Sequence, residues 1–219
     1  MSALEPTQLF AARTVRVASL PAVASSRTKR AIDVAFAAAA LLLFLPLLVL
    51  IAVAIRWESR GEALFRQQRT GLNGQPFRIY KFRTMRVVED GPQIEQARRN
   101  DARVTGVGRL LRKLSLDELP QLLNVLKGDM SLVGPRPHAL CHDEAWSRVV
   151  PQYTERFRAR PGLTGYAQVR GLRGEVTRPD AISQRVAADN AYIERWSVIE
   201  DLKLMAMTVP LIFKDTAAY

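Results

Sequence analysis

Val34 to Ile55 is a run of 22 residues without a charge, and it limits what this chain can become more than any other feature. As a straight helix it would reach about 33 Å, enough to cross a hydrocarbon core of about 30 Å. A cleaved signal peptide fits poorly, because the run is too long and begins too late. A spanning helix is the simplest expectation, and two features oppose it. Pro46 falls inside the run, where it removes a backbone hydrogen bond and kinks a helix. Both flanks are basic, with Arg27, Lys29 and Arg30 before and Arg56, Arg60, Arg66 and Arg69 after. Basic flanks stay cytoplasmic. A kinked helix–break–helix over 29–57 that enters and leaves by one face satisfies both facts. From the residues alone, the re-entrant and spanning forms both stand.

Charge narrows the partners. The 219 residues hold 32 Lys and Arg against 21 Asp and Glu, a formal +11, and the segment from Arg56 to Lys113, with 14 basic and 6 acidic residues, supplies +8 of it. A basic segment directly after an apolar run points to a membrane surface and phosphate-bearing substrates. Nucleic acid is the competing anion, but no basic–aromatic platform or known binding fold accompanies the charge. Cys141 is the single cysteine, so no internal disulfide forms, which suits a reducing compartment. Residues 1–28 show no sustained period and read as a flexible extension, leaving 58–219 as the cytosolic domain.

Two strands follow the apolar run, Ala63–Arg69 and Pro76–Phe82, with Asn73-Gly74 between them as a hairpin signal. Lys81 and Arg83 are two apart, so on a strand they face one way. They are either solvated edge charges or a phosphate clamp. Glu89 to Arg103 is a polar connection with some helix.

The densest pattern runs from Ser115 to Pro137. Asp117 and Glu118 stand side by side, Arg109, Arg112 and Lys113 come just before, and Leu119, Leu122, Leu123 and Leu126 follow at helical spacing. Pro120 belongs in a first turn and not in a helix interior, so the helix is expected to begin at or near Asp117, and the Ser115-x-x-Glu118 capping box is misleading. Asp117 is then a simple cap or part of an anion and hard-cation site at a helix start. Lys127-Gly128-Asp129 stops the helix, and Gly134-Pro135-Arg136-Pro137 is a stiff turn that aims Arg136. His138, Cys141, His142 and Asp143 superficially suggest a soft metal, but zinc needs four committed ligands, so an ordinary surface helix start is expected there. Pro161 to Gly171 reads as strand with Gly162 and Gly165 permitting close approach of a ligand, amid Arg158, Arg160, Arg170 and Arg173. Arg185–Trp196 and Val198–Phe213 read as helices, the second apolar enough to lie at a membrane interface.

Taken together, Phe77–Met85, Ser115–Pro137 and Pro161–Gly171 resemble, in their order along the chain, the bacterial sugar transferases, the monotopic phosphoglycosyl transferases that act on polyprenyl phosphate. The resemblance runs from about Lys29 to Phe213. It implies an α+β fold: a re-entrant membrane helix kinked at Pro46, then a mainly helical cytosolic domain with a small β-hairpin or sheet and amphipathic interface helices. It implies transfer of a sugar-1-phosphate from a UDP-sugar to undecaprenyl phosphate at the inner face of the cytoplasmic membrane, with release of UMP, as the first membrane step of exopolysaccharide synthesis. The Gln168–Glu175 run resembles members that transfer glucose-1-phosphate. By the same resemblance Asp117 is nucleophile and Mg²⁺ ligand and Glu118 assists it. Lys81, Arg83, Arg109, Arg112, Arg136, Arg160, Gln168, Arg170 and Arg173 then face the substrates. Membrane lipid is a partner, nucleic acid is not, and a homodimer is left open. A non-catalytic scaffold for polysaccharide assembly is the other reading, though it would tolerate loss of the dyad.

Overall fold

The computed structural model describes residues 20–86, 101–172, 174 and 179–214. Within them the chain runs α1 (Ala22–Ser25), α2 (Arg27–Glu58), β1 (Leu64–Thr70), β2 (Pro76–Phe82), α3 (Gly106–Lys113), α4 (Gln121–Lys127), β3 (Ser131–Val133), α5 (Leu140–Val149), β4 (Gly162–Thr164), α6 (Tyr166–Val169), α7 (Pro179–Arg195) and α8 (Val198–Lys214). It is a helical body with two small sheets. β1 and β2 form an antiparallel hairpin with Leu64 opposite Phe82 and Thr70 opposite Pro76. β3 and β4 pair in parallel. The hairpin matches the sequence expectation to within a residue, and Asn73 takes the left-handed backbone (φ 55°) that its loop requires.

Helix α2 is 32 residues long, about 48 Å, and continues without interruption through Pro46. The expected break is therefore not a division into two helices. Ser26 caps it, its hydroxyl accepting from the Lys29 amide. It is long and apolar enough to cross a membrane, yet both of its ends are built into the same body. Near the start, Arg30 donates to the Val125 and Leu126 carbonyls. Asp33 accepts from the Ser131 hydroxyl and the Leu132 amide. Lys29 pairs with Asp201 at 2.6 Å, both buried. Near the far end, Ile51 and Ile55 pack with Phe82 and Leu111, and Glu58 accepts from the Gly106 and Val107 amides. Between these anchorages Leu42, Leu43 and Leu45 are exposed.

The main core gathers Val23, Ala37, Phe77, Ile79, Leu122, Val125, Met130, Val133, Tyr192, Ile193 and Leu204. Each such side chain contributes about 1.5–3 kcal/mol on burial. Val23 and Ala24 are buried, so the folded body includes residues that the sequence reading assigned to a flexible extension ending at 28. Residues 1–19 and most of the Glu89–Arg103 connection lie outside the described residues. The C-terminal helices appear as expected, the first beginning earlier, at Pro179. Ile199, Leu202, Met207 and Val209 on α8 are exposed apolar residues.

Glycine at 134, 162 and 165 is required by close packing of the backbone. A Cβ at Gly162 would lie 2.1 Å from the Gly134 amide nitrogen, and one at Gly165 would lie 2.2 Å from the Gly134 carbonyl oxygen. These contacts let β3 and β4 lie side by side, a need for glycine that holds apart from any ligand.

Candidate active site

The dyad does not begin an α-helix. Ser115 takes the left-handed conformation, Leu116–Glu118 form a single 3₁₀ turn, and α4 starts only at Gln121 after Pro120. Ser115 makes no cap bond with its side chain, in keeping with the rejected capping box. This corrects the expected start at or near Asp117: proline would be tolerated in a first turn, but the left-handed Ser115 and the 3₁₀ turn place the dyad ahead of the α-helix. The buried face of α4 also differs from the leucine stripe. Gln121, Leu122, Asn124 and Val125 point inward, while Leu123 is exposed.

Asn124 positions the dyad against the hairpin. Its side chain accepts from the Tyr80 amide at 2.9 Å and donates to the Arg78 carbonyl at 2.7 Å, so it acts as a strand partner for β2. That docking brings Lys81 to Glu118, Nζ to Oε1 at 2.9 Å. From the opposite side Arg136 forks onto Glu118, Nη2 to Oε1 at 2.7 Å and Nη1 to Oε2 at 3.2 Å. The stiff Pro135–Pro137 turn aims Arg136 as its sequence suggests. Burial acts to raise the Glu118 carboxyl, but Arg136 and Lys81 overcome it and hold it well below the usual carboxylate range.

Asp117 is treated differently. Among the described residues no group donates a hydrogen bond to its carboxylate. Burial, and then the negative charge of Glu118, push it up to about 6, against the pull of Lys81, Arg112 and Arg136. One carboxylate is locked as an anion, and its neighbour is left partly accessible with its oxygens uncommitted. Adjacent carboxyls with separated acidities are a pattern of reactive sites.

Further cations face the pair. Arg112 has a buried Nη1 without a hydrogen-bond partner among the described residues. Arg69 was not singled out by the sequence reading. Its guanidinium is pushed down to about 10 chiefly by burial, against the pull of Asp143, with Arg136 and Glu118 also within electrostatic reach. Nη2 donates to Gln67, and Nε is buried without a partner among the described residues. A signal for it exists in the sequence. Arg69 pairs across the hairpin with Phe77, and Gln67 with Ile79, so both sit in phase with core positions, where a lone arginine demands an explanation.

Other expected site residues lie elsewhere. β2 ends at Phe82, so the alternation does not carry to Arg83, which is buried and donates to the Ser59 and Arg60 carbonyls. Arg160 donates to the Gly128 and Ala24 carbonyls. Both are internal braces. Arg109 is exposed on α3. Gln168 is buried and donates to the Leu163 carbonyl, and Arg170 stacks over Tyr166 at 4.1 Å. No described contact of these two reaches the dyad. Arg173 and Glu175 lie outside the described residues.

The His–Cys segment is not a surface helix start. His138 and Asp143 are buried. Tyr153 donates to Asp143 at 2.6 Å, and His138 Nδ1 lies 2.7 Å from the Tyr153 hydroxyl and 2.9 Å from Arg156 Nη1. Burial and the Arg156 charge hold the His138 imidazole well below its usual range, hence neutral. Its ring nitrogens are committed to this polar network. Among the described residues no cluster of three or more His, Cys, Asp or Glu could hold a metal. For a hard cation the requirement is lower, because Mg²⁺ binds through one or two carboxylates plus substrate phosphates. The uncommitted Asp117 carboxylate fits that role.

An apolar helix anchored at both ends, and beside its base a carboxylate pair ringed by cations, define a membrane-associated protein built to handle phosphates. Residues 24–215 match the family described as bacterial sugar transferase, and the chain belongs to that family. It is 58% identical over 200 residues to the UDP-glucose:undecaprenyl-phosphate glucose-1-phosphate transferase of Caulobacter vibrioides, covering 91% of this chain and 75% of that one. The enzyme of the same description from Escherichia coli K12 is 47% identical over 191 residues, 87% of this chain and 41% of its own length. The exopolysaccharide production protein PSS of Rhizobium leguminosarum is 43% identical, over 83% of this chain and 92% of its own. The chain thus spans less than half of the E. coli relative.

Proposed function

We propose that this protein transfers glucose-1-phosphate from UDP-glucose to undecaprenyl phosphate, releasing UMP, in the first membrane step of exopolysaccharide synthesis. The carrying observation is the split dyad, Glu118 locked by Lys81 and Arg136 while Asp117 stays uncommitted, in a chain 58% identical to a named glucose-1-phosphate transferase.

Both substrates are anions, so direct attack of one on the other meets repulsion that the cations around the dyad reduce. A two-step route also fits the carboxylates. An Asp117 oxygen attacks the β-phosphorus of UDP-glucose; the bond from that phosphorus to the bridging oxygen breaks, and UMP leaves with the electron pair. An oxygen of the lipid phosphate then attacks the acyl-phosphate, and the Asp117 carboxylate departs. Glu118, held as an anion, keeps Lys81 and Arg136 beside the transferred phosphate. Asp117 would also hold Mg²⁺, which when bound supplies positive charge against the phosphate oxygens. We read α2 as re-entrant, with both ends on the cytoplasmic side of the inner membrane. Its two anchorages on one body and its basic flanks support this.

The test is UMP release by the purified chain with undecaprenyl phosphate and a panel of UDP-sugars. Release with UDP-glucose is expected. Inertness toward every UDP-sugar would leave a scaffold as the reading.

A further inference from the structure

Arg136 is held from behind as firmly as it holds Glu118. Arg156 is buried on the short helical turn Tyr153–Arg158, at 3% exposure, and each of its three nitrogens is engaged. Nε meets Asp189 Oδ2 of α7 at 2.8 Å. Nη1 lies 2.9 Å from His138 Nδ1 and 3.1 Å from the Tyr153 hydroxyl. Nη2 donates to the backbone carbonyl of Arg136 at 2.6 Å.

That last contact matters because of what flanks it. Pro135 and Pro137 fix their own φ angles, so the remaining freedom of the turn is rotation of the Arg136 peptide groups. A charge-assisted bond to the Arg136 carbonyl removes that freedom. The arginine side chain then leaves the turn in the one direction that forks onto Glu118. Burying an arginine is costly unless its charge is paired and its N–H groups are satisfied. Asp189 supplies the charge, and His138, Tyr153 and Arg136 accept the rest. Mere neutralisation of Asp189 would not need a fork that reaches the catalytic turn.

We infer that Arg156, seated on Asp189, is a positioning residue that acts on the reaction through Arg136 without touching substrate. This rests on the reading of Asp117 and Glu118 as the reactive pair. A lysine in its place keeps a charge for Asp189 but cannot span Asp189, His138 and the Arg136 carbonyl at once, so it should not rescue.

The experiment uses the full chain and UMP release from UDP-glucose. Arg156→Lys should lower kcat at least about tenfold while the KM for UDP-glucose changes less than about threefold. Arg136→Lys should also be slow, and the Arg136→Lys/Arg156→Lys double variant should be no more than about threefold slower than Arg136→Lys alone, because both act through one contact. Asp189→Asn is carried through the same cycle and decides the matter if Arg156→Lys does not fold. Wild-type kcat in a variant that has only lost thermal stability would overturn the inference, as would effects that multiply in the double variant. Failure of the functional reading is separable, since wild-type protein would then release no UMP. The cycle is in that case read as Tm, where additive shifts of Arg136→Lys and Arg156→Lys overturn the inference and non-additive shifts support it.

Discussion

Arg136 grips both oxygens of Glu118, at 2.7 and 3.2 Å, while no described residue donates a hydrogen bond to Asp117 next to it. The two carboxylates are adjacent in sequence and electrostatically opposite. Glu118 is already spent on cations, so the residue free to bind, attack or coordinate is Asp117.

That asymmetry makes Asp117→Asn decisive. UMP release should disappear, and wild-type protein given labelled UDP-glucose without lipid should release at most one UMP per chain and keep the sugar label on the Asp117 peptide. Label that never joins the protein, with kinetics that require both substrates bound together, would exclude the covalent route.

The same carboxyl sets a pH dependence. It sits at about 6 rather than 3.8, and nucleophilic attack needs the ionised form, so kcat/KM should rise with pH through about 6. Raising Mg²⁺ from limiting to saturating should move this limb downward, because a cation favours ionisation. For stability the sign is reversed. A raised carboxyl favours the fold below its unfolded value and loses that contribution as pH climbs through about 6. Asp117→Asn should therefore be more stable than wild type above that pH, by on the order of 1–2 kcal/mol after allowance for solvent access. The gap should close near pH 4, as urea melts at both pH values would show.

Chelation should silence the enzyme, with Mg²⁺ restoring it. His142→Ala should keep the same Mg²⁺ requirement. His138→Ala should instead lower Tm, since His138 is packed in the Tyr153–Arg156 network. Loss of the metal-dependent activity in His142→Ala would reopen a soft-metal site.

The topology of α2 is testable at its ends. In a Cys141→Ser background, cysteines at Thr28 and Trp57, both exposed, should label from the cytoplasmic side only. Periplasmic labelling at either position would establish a spanning helix.

The Lys29–Asp201 pair joins the start of α2 to α8. Asp201 also accepts from the Tyr192 hydroxyl at 2.7 Å and from Trp196 Nε1 at 3.0 Å. Asp201→Ala would leave the buried Lys29 ammonium with only the 4.0 Å contact to Asp33 and Trp196 Nε1 without its acceptor, while the Tyr192 hydroxyl keeps the Val133 carbonyl. The expected loss is about 3 kcal/mol, or a fall in Tm on the order of 10 °C. Thermal unfolding in detergent measures it.

Whatever depends on neighbours along the chain is legible in the residues alone. The uncharged run specifies the long apolar helix because side-chain transfer from water is local and additive. Asn73-Gly74 specifies the hairpin turn because only certain residues tolerate its backbone, and Pro120 marks the region of the helix start, without revealing that the dyad lies ahead of it. The resemblance of Phe77–Met85 and Ser115–Pro137 singled out Lys81, Arg136, Asp117 and Glu118.

Which charges meet is set by packing between distant segments. Lys81 and Arg83 look equivalent in a strand, yet the strand ends between them, and one reaches Glu118 while the other braces Ser59 and Arg60. Arg160 reads as a phosphate ligand and instead ties Gly128 to Ala24. Arg69 and Arg156 carry no short motif, but packing brings one toward the dyad and the other behind Arg136. Partners such as Lys29 and Asp201 are 172 positions apart. A charged side chain states locally that it needs a partner, and only packing of distant segments, which excludes water from some pairs and not from others, supplies it.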